Sequence, residues 1–220
     1  MLYNKEIRKL RDIVRLLPMD QIRHMENVGI LVGMMARRIY VKGIYKEEIH
    51  KDTWIQFETA GLYHDLGKVK VPMEILSKPG KLTEEEFTLI RRHPLHAAEL
   101  FDYISEYEIE GIPPESLEIS AEAAIYHHEW WDGNGYPFGL CKTEIPLIAR
   151  VTSICDAYET ITSNRTYRKA YSHEYACEEL RKYRGTQFEP ALVDLFLEYE
   201  ADFCKIAAVN LKRSVEEGEI

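Results

Sequence analysis

Seven side chains able to hold a divalent cation fall at expected helix ends or breaks along this chain: His24, His64, Asp65, His93, His127, His128 and Asp156. Five imidazoles and two carboxylates, with no thiolate among them, form a nitrogen and oxygen donor set. Such a set suits divalent iron, manganese or zinc better than a structural zinc site built on cysteine. The adjacent pair His64-Asp65 is the most informative, because a carboxylate can bridge two ions while its neighbour ligates one. Two metals about 3.5–4 Å apart are a standard device for phosphoester cleavage, with a bridging hydroxide attacking phosphorus and the paired charge offsetting that of the transition state. Lys68, four residues beyond His64, brings an ammonium within reach of the same place. Any one of these histidines alone is more often a cap or a satisfied polar group; the joint pattern is what points to metal. His50, His96 and His173 fit that plainer role, as surface or packing residues.

The stretch 127–137 runs from two histidines through Glu129, Trp130 and Trp131 into Asp132, Gly133, Asn134, Gly135, Tyr136 and Pro137. Its glycines supply backbone freedom and Pro137 sets the exit. Imidazoles just before such a loop stand at the mouth of a site, where loops carry function on a rigid frame. Trp130 and Trp131 read equally well as a pocket wall or as packing beneath the loop.

The elements that must position these groups are helices. Apolar residues recur at helical spacing over residues 20–40, after a lead-in helix that Pro18 stops. Asp20 and His24 stand four apart and share a face. Thr53 with Gln56, and Thr83 with Glu86, have capping-box spacing and predict helix starts, the first helix running to His64-Asp65. Residues 69–80, with Pro72, Pro79 and Gly80, read as a loop. Pro94 restarts a helix at His93. Pro114 or Glu115 opens the helix that delivers His127 and His128, and Pro146 lies near the start of the one that carries Asp156. Ser172 caps another, which Gly185 closes, and Pro190 opens a long last helix to about residue 211. No clear strand, repeat or linker interrupts the series, so the expected fold class is all-α.

At 220 residues the chain fits one domain, and 45% hydrophobic with 30% charged residues describes a soluble globular protein. No apolar run approaches the roughly 18 residues of a membrane span, which excludes insertion. The first residues lack the apolar core of a signal peptide, and Cys141, Cys155, Cys177 and Cys204 are scattered without a C-x-x-C pair. Free thiols in a reducing cytoplasm are the expectation. A net charge of −9 argues against polymeric nucleic acid as a partner, while leaving room for a small phosphorylated ligand held by metals or local cations.

Over residues 20–197 the sequence resembles the HD-GYP domain, a branch of the HD phosphohydrolases. His64-Asp65-Leu66-Gly67-Lys68 is similar to its H-D-I/L-G-K segment, His93-Pro94 to its H-P element, and His127-His128-Glu129 with residues 132–137 to its H-H-E and D-G-x-G-Y-P signature. Asp156-Ala157-Tyr158 and the segment Arg165 to Lys169 resemble its closing motifs. The resemblance implies a single multi-helix HD-domain bundle with the HD-GYP extension at residues 20–212, after a lead-in at 1–19 and before a frayed tail at 213–220. It implies that the seven residues ligate two ions, iron or manganese, with Asp65 bridging. Asp65 and Lys68 would be catalytic, Lys68 at the scissile phosphate. Tyr136, Arg165, Arg168 and Lys169 would hold the nucleotide. By residue type alone the three cations are a solvated helix end, and Tyr136 a loop anchor. The implied reaction is hydrolysis of cyclic di-GMP to pGpG and on to GMP. The alternatives are an HD-superfamily hydrolase of another cyclic nucleotide, or a non-catalytic receptor for the messenger. The chain departs from the family pattern at four places. Asp20 stands where some members carry a Glu for a third metal, so a third ion would fall to a shorter arm. Trp130 replaces a common basic residue, Glu159 a common Asp, and Ala97 a usual Gly.

Overall fold

The computed structural model describes residues 7–164 and 169–216, with side chains through residue 210. Eleven α-helices are found among the described residues: α1 (Leu10–Val14), α2 (Met19–Lys42), α3 (Trp54–Leu62), α4 (Met73–Leu76), α5 (Glu84–Ile90), α6 (His93–Glu106), α7 (Pro114–Tyr126), α8 (Leu147–Thr162), α9 (His173–Lys182), α10 (Pro190–Glu198) and α11 (Glu200–Glu216). Strand pairing among them amounts to two isolated bridges, Lys9 with Glu110 and Arg184 with Phe188, so the fold is all-α as expected. No helix of the described residues is long and apolar enough to cross a membrane. All four cysteines are free, Cys155 and Cys177 buried, Cys141 and Cys204 half-buried.

The apolar stripe of α2 divides between two cores. Val28, Val32, Met35 and Ile39 join Phe57 of α3, Ile154 of α8 and Phe196 of α10 in the larger one. Met25 instead joins Leu10, Leu66, Leu100 and Ile104 in a smaller one. α7 straddles both in the same way, through Ala123 and Ala124. α2 carries His24 and His127 directly follows α7, which places these candidate ligands where the two cores adjoin.

Several boundaries differ from the sequence expectation, each for a local reason. The lead-in helix is only α1, five residues long, with residues 1–6 outside the description. Thr53 precedes α3 without capping it, because its hydroxyl is engaged with the backbone and ring of His50. Thr83, by contrast, forms the full capping box with Glu86 at the start of α5. α3 ends at Leu62, so His64 and Asp65 lie in the turn that follows and a 3-10 turn occupies Leu66–Lys70. The expected loop at 69–80 contains α4. The long last helix breaks at Tyr199, whose ring lies 4.4 Å beneath the Arg38 guanidinium. The break lets Phe196 and Phe203, one on each side, stack at 4.1 Å in the core. α11 then runs to Glu216, past the predicted end near 211.

Candidate metal centre

Three of the five histidines are aimed by one device. His64 Nδ1 lies 2.8 Å from the Gly61 carbonyl, His93 Nδ1 2.8 Å from that of Ile90, and His127 Nδ1 2.9 Å from that of Ala123. Each carbonyl belongs to the last turn of a helix, where carbonyls are short of regular intrahelical partners and have a lone pair to offer a side chain. A ring nitrogen facing a carbonyl must carry the proton and donate it, which leaves Nε2 as a bare lone pair directed inward. His24 comes from mid-α2 and uses a carboxylate instead: its Nδ1 is 2.5 Å from Glu159 Oε2. Glu159 also accepts from Asn27 Nδ2 at 3.0 Å and Ser163 Oγ at 2.5 Å.

The four Nε2 atoms converge on Asp65, and its two oxygens face different pairs. Oδ2 is 3.4 Å from His24 Nε2 and 3.3 Å from His64 Nε2, whereas Oδ1 is 3.2 Å from His93 Nε2 and 3.8 Å from His127 Nε2. Asp156 Oδ1 lies 3.1 Å from His24 Nε2 on the first side. His128, its ring 4.9 Å from that of His93, lies on the second. The donors thus sort into two trios, His24 with His64 and Asp156, and His93 with His127 and His128, each with its donor atoms within 4.8 Å of one another. All seven predicted ligands are brought together.

Electrostatics favour the ligating forms. Burial pushes the Asp65 carboxyl up, but the Lys68 ammonium and the neighbouring imidazoles outweigh it and hold the group well below the usual carboxylate range. Burial likewise opposes ionisation of Asp156, and His24 and His64 overcome it. Burial depresses His93 to about 4 and His127 to about 3, and takes His128 well below its ordinary value, so all three are neutral at pH 7. His64 Nε2 and Asp65 Oδ1 are buried without a hydrogen bond of acceptable geometry. Buried polar atoms are nearly always satisfied, so orphans in the middle of a donor cluster fit a pair of divalent cations as the missing partner.

The centre opens into a cavity of about 900 Å³, lined by His24, Asp65, Lys68, His93, His128, Tyr136 and Asp156 on one side and by α4, α5 and the loop between them on the other. Lys68 Nζ is 2.5 Å from Asp65 Oδ2 and 3.2 Å from Gln21 Oε1. The Tyr136 ring stacks on His128 at 4.7 Å, and the Arg91 guanidinium lies 4.3 Å from its centroid. Lys78, Lys81 and Phe87 also line the cavity. Lys78 pairs with Glu86 at 2.7 Å. Asp20 is not in either trio; its carboxylate accepts from Gln21 at 3.5 Å. Lys169 is exposed, and Arg165 and Arg168 lie outside the described residues. Neither Trp130 nor Trp131 is among the lining residues.

Sequence reasoning left several contributors without a role. Glu159 had a usable signal, since it stands three residues after Asp156 and shares its helix face. Glu129 is buried and accepts from the backbone nitrogens of Phe138 at 2.7 Å and Leu140 at 3.0 Å, tying down the glycine loop. Arg91, Lys78, Lys81 and Phe87 belong to a segment whose local pattern reports only a capped helix, and only the fold carries that segment over the centre.

Residues 24–192 match the HD domain family. A cyclic di-GMP phosphodiesterase of Pseudomonas aeruginosa is 35% identical over 191 residues, 86% of this chain and 42% of that protein. A 3'3'-cGAMP-specific phosphodiesterase of Vibrio cholerae is 35% identical over 185 residues, 84% of this chain and 32% of its own length. The chain therefore spans less than half the length of these curated relatives. Among solved structures, an HDG"Y"P protein from Bdellovibrio bacteriovorus superposes with a TM-score of 0.55 at 17% identity, covering 82% of this chain and 52% of that one, which is a likeness of fold.

Proposed function

The chain belongs to the HD domain family, in its HD-GYP branch, and from that premise we propose that it is a metal-dependent phosphodiesterase that hydrolyses a cyclic dinucleotide. The observation that carries the reading is Asp65, with one oxygen turned to each histidine pair, a carboxylate placed to serve two ions at once. His24, His64 and Asp156 would hold one ion, His93, His127 and His128 the other, and Asp65 both. Bound there, two divalent cations supply Lewis-acid neutralisation of phosphodiester charge and a water made nucleophilic near neutral pH.

The chain's own groups do the remainder. Lys68 keeps a cation beside the Asp65 carboxylate and would stabilise negative charge that builds on the phosphodiester. Arg91 and Lys81 bring local positive charge to the cavity of a protein whose net charge is −9, which favours an anionic ligand there. Phe87 and Ile75 offer apolar surface to a base, and a cavity of about 900 Å³ has room for a dinucleotide. Tyr136, held between His128 and Arg91, forms the wall between metal and base regions. Arg165, Arg168 and Lys169 remain proposed phosphate contacts on the resemblance alone. Iron or manganese is the proposed metal, and pGpG, then GMP, the proposed product.

The equal identity to a 3'3'-cGAMP-specific relative makes that dinucleotide the second candidate substrate. The deciding assay incubates manganese- or iron-loaded protein with cyclic di-GMP and 3'3'-cGAMP in parallel, following products by chromatography. Turnover of either, lost in a His64→Ala, Asp65→Ala double variant, is the expected result. Intact substrate in both reactions, with metal bound and a relative active alongside, sinks the proposal.

A further inference from the structure

A second group of metal-binding side chains lies on the far face of α8 from Asp156. His173 and Cys177 stand four apart on α9, and Glu200 opens α11. Their donor atoms all lie within 4.8 Å of one another. Imidazole, thiol and carboxylate from two helices therefore form one partly buried cluster. We propose that His173, Cys177 and Glu200 form a zinc site, separate from the catalytic centre, that clamps α11 to α9.

Cys177 Sγ is 3.6 Å from His173 Nε2, the length of a tetrahedral edge built from the usual zinc–sulfur and zinc–nitrogen bonds (about 3.6 Å), and 3.8 Å from Nδ1, so the thiol lies beside the ring and has to swing toward the Nε2 lone pair when an ion binds. The other ring nitrogen is already held: His173 Nδ1 is 2.9 Å from the hydroxyl of fully buried Tyr158. An oxygen partner on the far nitrogen is what orients a metal-ligating histidine and leaves Nε2 free for the ion. Glu200 pairs through Oε2 with Arg181 at 3.3 Å, an exposed pair of small value, and its carboxylate also accepts from the Cys177 thiol, a proton that an ion would replace. Cys204 follows Glu200 by one turn on α11, near enough to help raise the Cys177 thiol, which burial pushes up to about 12. Cys204 is not within the trio, so water would fill the fourth position.

Chemistry also selects the ion. A thiolate with an imidazole and a carboxylate prefers zinc over the harder ions that a thiol-free centre takes. On binding, Cys177 loses its proton to solvent, and thiolate plus carboxylate balance the two charges of the cation. The ion would give α11 a fixed anchor at its first turn, just past the break at Tyr199.

The test uses the whole chain, stripped of metal and titrated with cobalt(II) as a spectroscopic substitute. The histidine and aspartate centre has no sulfur, so a near-ultraviolet sulfur-to-cobalt charge-transfer band reports only the second site. The expected result is a band that saturates at one equivalent, disappears in Cys177→Ser and persists in Cys141→Ser. Zinc content by mass spectrometry should fall by one equivalent in Cys177→Ser. Glu200→Gln alters a surface position and keeps both thiols, so it tests the site even where loss of the buried thiol harms folding; cobalt affinity should drop about tenfold or more. No band in the wild type, or a band that follows Cys141 instead, overturns the proposal and leaves an ordinary packed Cys–His contact.

Discussion

At the scale of single residues, the centre depends on which nitrogen of each histidine carries a proton, and neighbours outside the ligand set decide that. Glu159 fixes His24 as the backbone carbonyls fix the other three, but its replacement is a side-chain change that leaves the backbone hydrogen bonds intact and removes the side-chain contacts to His24, Asn27 and Ser163. Glu159→Ala should weaken metal binding at the His24 side about 10–100-fold, read by metal titration, with little change in the ligand count at saturating metal. An unchanged affinity would show that the contact only packs. Protonation gives a second expectation. In the folded chain burial holds His93 at about 4 and His127 at about 3, against about 6.5 for an unfolded histidine. Both folded values are depressed, so between those limits the unfolded chain binds more protons. Stability of the metal-free protein is therefore complete above about pH 6.5 and declines as pH falls toward 4. Thermal midpoints of stripped protein should drop between pH 7 and pH 5, and a flat or rising profile contradicts the assignment. Metal occupancy should decline over the same range, because protons and cations compete for Nε2.

At the scale of elements, two close backbone approaches set the site. A Cβ on Gly67 would meet the His93 carbonyl oxygen at 2.0 Å and the Ala97 nitrogen at 2.7 Å. The turn carrying Asp65 and Lys68 thus lies directly on the start of α6. Gly67→Ala should force them apart, costing about 3 kcal/mol in urea unfolding, and should lower metal affinity by moving His93 away from Asp65. Full stability in that variant would mean the approach is looser than described. Gly135 is required for the same reason, since a Cβ there would lie 2.2 Å from the Trp130 nitrogen. Gly133, with φ +86, is the one of the two that needs left-handed backbone. The capping boxes give the complementary lesson. Thr53 and Thr83 have the same spacing to an acceptor at the third position, yet only Thr83 caps, because His50 competes for the Thr53 hydroxyl.

At the scale of the molecule, a buried cation helps tie the helices that carry the candidate ligands to the C-terminal part. Arg150 of α8 donates to Glu189 at 2.6 Å, to Glu48 at 2.9 Å and to the Ile145 carbonyl at 2.8 Å. Tyr45 donates to the other oxygen of Glu189 at 2.5 Å. Glu189→Ala leaves a guanidinium buried with only the more exposed Glu48 as counter-ion, and should cost about 3 kcal/mol in urea unfolding. A loss below about 1 kcal/mol would place the tie elsewhere. The sequence by itself determined the helical class, most helix positions and the seven residues proposed to hold metal, which the fold brings together. Those features are written locally: a 3.6-residue period, prolines at helix starts, and histidines at helix ends whose types alone suggest ligation. Tertiary structure decided which oxygen of Asp65 serves which histidine pair, that Glu159 rather than a carbonyl aims His24, and that α4 and α5 roof the cavity with Arg91 and Phe87. It also joined His173, first read as a surface or packing residue, to Cys177 and Glu200. Each of those relations links residues on different elements, and no period or short motif encodes the direction in which two helices meet.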